Sequence, residues 1–96
     1  MSPKNKKKLD LIRKKLDKID NKLLLLIKHR TILVNDVVKL KQYKKEIVDK
    51  KRISSILSKI KLRSKKLNID TEITKRIWKN MIWSYIDYEK RNFKKK

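Results

Sequence analysis

Residues 9–41 read LDLIRKKLDKIDNKLLLLIKHRTILVNDVVKLK, and their apolar positions step mostly by three and four: Leu9, Ile12, Leu16, Ile19, Leu23, Leu26, then Leu33, Val37 and Leu40. That spacing lays one apolar stripe along a helix, with no breaker before about Lys44. At ~1.5 Å per residue, a helix from about Lys7 to Tyr43 is roughly 55 Å long. A compact chain of 96 residues has a radius of gyration of roughly 12–13 Å, so such a helix must project beyond its own fold. Its stripe would then face water unless another subunit covered it. The first expectation is therefore an oligomer built on this helix.

Beyond it, Lys44 to Val48 reads as a connector. Asp49 can cap a second helix, its carboxylate accepting from backbone N–H groups in the first turn. That helix carries Ile53, Ile56, Leu57, Ile60 and Leu67 and is expected to end at Asn68, a residue that tolerates the left-handed C-cap conformation. Asp70 or Thr71 starts a third helix, with Ile73, Ile77, Trp78, Met81, Ile82, Tyr85, Ile86 and Phe93 on its apolar side. The fold class expected is all-α, with three helices (long, medium, medium) in a single domain spanning 1–96. Residues 1–7 and 93–96 read as flexible basic tails.

Composition narrows the chemistry. There is no Gly, Ala or Cys, and the single Pro is Pro3. Without glycine, tight turns and phosphate-cradling loops have few residues that take φ > 0 cheaply, which argues against hairpins, Rossmann folds and P-loops. Without cysteine there are no disulfides, thiolate metal sites or thiol nucleophiles, and a reducing cytosol suits the chain. His29 is the one histidine, so neither a histidine metal site nor a Ser-His-Asp triad is expected. The longest apolar run, Leu23 to Ile27, is far short of the ~20 residues of a membrane span. No signal-peptide core follows the basic Met1 to Lys8, and the expected location is the cytoplasm.

The formal charge is +21, from 31 Lys+Arg against 10 Asp+Glu. Three readings compete: a nucleic-acid surface, steering of a small anionic substrate, and compositional drift from AT-rich coding. The lysines are scattered around every helix rather than gathered on one face, which favours drift.

More is carried by polar residues where the stripes call for apolar ones. Continuing past Leu26 lands on Arg30. Eleven residues further, at ~100° each, Lys41 returns to within about 20° of that face. Two cations on a core-facing stripe are costly unless paired or bound to an anion; alternatively both snorkel outward. In the third helix Glu89 shares a stripe with Trp78, Ile82 and Tyr85, which places it either among aromatic neighbours or at a wet helix end. Asp49 and Arg52 open the second helix, where a cap and a surface cation would also explain them. Arg13 lies about 100° off the Arg30 face and roughly 25 Å back along the axis, so the two cannot serve one small site within a chain. In an antiparallel pair of long helices, Arg13 of one subunit could approach Arg30 of the other.

The run Leu11-Ile12-Arg13-Lys14-Lys15-Leu16-Asp17-Lys18-Ile19-Asp20 resembles the opening of the all-α chorismate mutases, in which an Arg precedes a hydrophobic-x-x-hydrophobic-Asp pattern. The resemblance continues through Leu23-Leu24, Arg30, Val34, Val37 and Lys41, then Asp49-x-x-Arg52, and ends at Tyr85-x-x-x-Glu89. It covers roughly Leu9 to Arg91. It implies an intertwined helical homodimer with two sites, each completed by one Arg from the neighbour. It implies, too, a Claisen rearrangement of chorismate to prephenate, in aromatic amino-acid biosynthesis, with no cofactor and no metal. In that frame a small dicarboxylate is held by Arg30 and by Arg13 of the partner subunit. Lys41 bridges a carboxylate and the ether oxygen. Asp49, Arg52, Ile53 and Tyr85 line the substrate. Glu89 falls where relatives carry Gln or Glu facing the ether oxygen, and a carboxylate there would repel developing negative charge unless it carried a proton. The catalytic group is thus Lys41, Glu89 and Arg30.

Two departures bear on the substrate. Ile53 follows Arg52 where mutases carry a Glu that binds the substrate hydroxyl, and the Lys41 to Arg52 segment looks one residue short. Both features, and Tyr85, resemble the isochorismate-pyruvate lyases of salicylate biosynthesis, which share the fold. Outside this class stand a basic helical dimer binding nucleic acid, which would present exposed Lys in a continuous stripe, and a structural coiled coil, which Arg30 in the seam opposes.

Overall fold

The computed structural model describes residues 1–94. They form three helices: α1 (Pro3–Leu40), α2 (Lys50–Lys66) and α3 (Thr71–Asn92), with a short 3-10 turn at Lys44–Glu46. No strand occurs among the described residues. The chain divides into two compact units, Met1–Leu33 and a second beginning at Val34.

The first unit is helix throughout from Pro3. It begins four residues ahead of the expected Lys7, and the reason is local. The Ser2 Oγ accepts from the Asn5 backbone N–H at 3.2 Å, an N-cap, and Pro3 occupies the first helical position, where its missing N–H costs nothing. The basic segment 1–7, expected to be flexible, is therefore helical from Pro3. In this unit the stripe residues Ile12, Leu16, Ile19 and Leu23 remain 51–55% exposed.

The second unit holds the core. Ile47, Ile82 and Ile86 are its buried centre, with Val48, Ile53, Ile56, Leu57 and Phe93 packed around them. Phe93, expected in a frayed tail, instead closes one edge of this cluster; Lys95 and Lys96 lie outside the described residues. Ile47 is 3% exposed although it sits in the connector between α1 and α2, so the connector is plugged into the core rather than draped over it. Asp49 caps α2 as expected, its Oδ1 accepting from the Arg52 N–H at 3.0 Å. The other end of α2 closes in a Schellman motif. Asn68 takes φ 56°, the Ile69 N–H donates to Ser64 O at 2.8 Å, and the Asn68 N–H donates to Lys65 O at 3.2 Å. In a chain without glycine, Asn is the next-best residue for that left-handed position. Asp70 then caps α3, its Oδ1 accepting from the Glu72 N–H at 2.8 Å.

Two polar pairs join elements within this unit. Ser64 Oγ and Thr74 Oγ1, both buried, hydrogen-bond at 2.8 Å between α2 and α3. The Tyr88 hydroxyl donates to Asn35 Oδ1 at 2.9 Å, tying α3 to the last turns of α1.

Candidate active site

Lys41 lies one residue beyond the last turn of α1, its backbone N–H still donating to Val38 O at 3.2 Å. Val38 is buried, so the end of α1 is anchored and the Lys41 side chain starts from a fixed point. Its Nζ donates to Glu89 Oε1 at 3.3 Å. Glu89 is 7% exposed as a residue, which decides between an aromatic-lined setting and a wet helix end: it faces inward. Ile82, on the same stripe, is buried, and Trp78 and Tyr85 are half-buried. Tyr85 meets Tyr88 edge to face, ring centroids 6.4 Å apart, so the aromatic wall beside Glu89 is fixed.

The connector that follows Lys41 is held by a reciprocal clasp. The Tyr43 N–H donates to Glu46 Oε1 at 3.1 Å, and the Glu46 N–H donates to Tyr43 O at 3.0 Å. Together with the Ile47 plug, this fixes both ends of the short segment from Lys41 to Asp49. Lys41, Glu46, Val48 and Asp49 line an open depression that Lys50 and Lys51 complete. Opening α2 with Lys50, Lys51 and Arg52 puts three cations at the positive end of a helix dipole, an arrangement that is unfavourable alone and relieved by an anion.

Of the expected site residues, the structure brings Lys41 and Glu89 into contact and sets Asp49 beside Arg52 through the cap. Ile53 is half-buried and packs against the Ile47–Ile82–Ile86 cluster, so it serves the core as well as any ligand. Arg30 is half-buried and Arg13 exposed, both in the first unit. The Ser64–Thr74 and Tyr88–Asn35 pairs lie outside the sequence expectations. Ser64 and Thr74 each fall on the inward stripe of their helix, a polar residue at core spacing, which is a readable signal; Asn35 carries none. Among the described residues no group of three His, Cys, Asp or Glu could hold a metal ion.

Residues 12–90 match the model of the family chorismate mutase type II. The chain belongs to that family. The match takes in most of α1, both later helices and the Lys41–Glu89 contact within one frame. A curated chorismate mutase from Methanocaldococcus jannaschii is 41% identical over 76 residues, 78% of this chain and 77% of that protein. No solved structure matches. Chorismate mutase type II proteins are all-α, as the chain is, and no described helix is long and apolar enough to cross a membrane.

Proposed function

We propose that the chain is a chorismate mutase that rearranges chorismate to prephenate, working as a homodimer in the cytoplasm. The observation that carries this reading is the inward Lys41–Glu89 contact within a chain of this family. The rearrangement is concerted: one C–O bond breaks as one C–C bond forms, no atom leaves and no redox partner is needed. What the protein must supply is a compact substrate geometry and donors aimed at the ether oxygen.

Lys41 supplies such a donor. Its ammonium has three protons, so it can serve a substrate carboxylate and the ether oxygen together. Glu89 meets the ether oxygen from α3; as a carboxylic acid it donates a hydrogen bond, and as a carboxylate it repels the charge that develops there. Arg30 and Arg13 of the partner subunit hold the two carboxylates, for which the guanidinium fork is geometrically matched. Asp49, Arg52, Ile53 and Tyr85 complete the lining.

The dimer rests on α1. Four stripe residues of the first unit are about half-exposed, and covering them would contribute on the order of 1 kcal/mol each. A second chain's α1 is the partner whose apolar spacing fits, and pairing would deliver the cross-subunit Arg13.

Ile53 favours one alternative substrate. Packed on the core and without a polar atom in its side chain, it offers nothing to a ring hydroxyl, so isochorismate, with its hydroxyl elsewhere, is the competing ligand. Incubating the protein separately with chorismate and isochorismate and identifying products tests the proposal. Prephenate from chorismate is expected. Salicylate and pyruvate from isochorismate, with no prephenate from chorismate, would replace it with the lyase.

A further inference from the structure

We infer that the α2–α3 pair carries a second ligand site, remote from Lys41 and Glu89, for a small single-ring carboxylate. A cavity of about 330 Å³ opens between the two helices, at the small end of the range for small-molecule pockets. Its floor is Leu57 and Ile60, both half-buried, and its rim carries Ser58 and Lys61 from α2 with Lys75 and Lys79 from α3.

Distance along the helices separates this groove from the proposed active site: Glu89 lies ten residues, roughly 15 Å, beyond Lys79 along α3. Lys61 follows Arg52 by nine residues, which at ~100° each puts it about 180° around α2. Tyr88, which bonds Asn35 of α1, follows Lys79 by nine residues as well, about 180° around α3. The groove therefore opens on the flank of the pair opposite Arg52 and Tyr88.

Charge chooses the occupant. Three ammonium groups surround the cavity and one carboxylate, Glu72, accompanies them, an excess of two positive charges. Among the described residues none of the three lysines has a carboxylate within ion-pair distance, and the Ser58 hydroxyl has no intramolecular partner. The buried hydroxyls beneath are already satisfied, since Ser64 and Thr74 bond each other. Free donors are thus confined to the rim, above an apolar floor. That pattern suits an anionic head on a flat apolar body, and charge-assisted bonds to Lys75 and Lys79 would fix the head.

The test is a titration of the full chain with benzoate, and separately with inorganic phosphate, followed by backbone amide shifts. Benzoate should give saturable shifts at Ser58, Lys61, Lys75 and Lys79. The double variant Lys75→Gln/Lys79→Gln should weaken that response about tenfold while circular dichroism stays unchanged. Phosphate, which cannot use the apolar floor, should bind more weakly. Shifts confined to Lys41 and Glu89, shifts spread over lysines of all three helices, or equal responses to the two anions would each overturn the inference. So would a double variant that titrates like the wild type. None of these readouts depends on turnover.

Discussion

At the scale of single residues, the proposed chemistry turns on Lys41 and Glu89, 3.3 Å apart where the end of α1 meets α3. Removing the ammonium would take away the donor proposed for the breaking bond. Lys41→Ala should lower kcat/KM for chorismate by about 10²–10³-fold, as loss of an oxyanion donor does, with helicity retained. Initial rates of chorismate disappearance measure it. In the proposed site a hydrogen-bond donor at position 89 meets the ether oxygen. Glu89→Gln keeps an N–H donor there and removes the carboxylate's charge, so its kcat/KM for chorismate should equal or exceed that of the wild type, whereas Glu89→Ala should lower it by about 10²-fold. A Glu89→Ala variant as active as the wild type would remove Glu89 from the ether oxygen.

At the scale of elements, the turn between α2 and α3 offers a stability test independent of catalysis. Asn68 sits at φ 56°, where a β-branched side chain clashes with its own backbone. Asn68→Val should cost about 1–2 kcal/mol and Asn68→Gly little or nothing, read from urea denaturation midpoints. This turn is legible in the sequence, because Asn68 suits a left-handed C-cap and Asp70, two residues on, suits an N-cap. The Asp49 cap is legible for the same reason. The start of α1 is not, because the lysine-rich segment after Pro3 looks disordered by composition, whereas a two-residue signal, Ser2 then Pro3, decides it. Nor is the connector. Ile47 and Val48 stand in a short segment flanked by charged residues, so no periodicity marks Ile47 as a core plug. Glu89 is half legible: its stripe points inward, but its place near a helix end equally suits solvent, and only the packing of α3 settles the choice.

At the scale of the whole molecule, the apolar stripe of α1 and the charge of +21 act against each other. In the proposed dimer, burying the stripe would draw two chains together, while pairing chains of that charge would raise their mutual repulsion. Sedimentation equilibrium should give twice the chain mass of 11.7 kDa, and the dimer should tighten as sodium chloride rises and screens the repulsion. Ile19→Asp, a carboxylate in the stripe, should shift the sample toward monomer. If the partner chain supplies Arg13, activity should be lost with the dimer.

These scales meet in the proposed shared site, which takes Lys41 from one chain and Arg13 from the other. Subunit mixing tests it most directly. Arg13→Ala and Lys41→Ala, each nearly inactive alone, are unfolded together and refolded in equal amounts. Half of the resulting dimers are mixed, and in each of those one site receives both intact residues, so about one quarter of wild-type activity should return. Activity no higher than the sum of the two parents, in a sample shown to contain mixed dimers, would contradict the shared site.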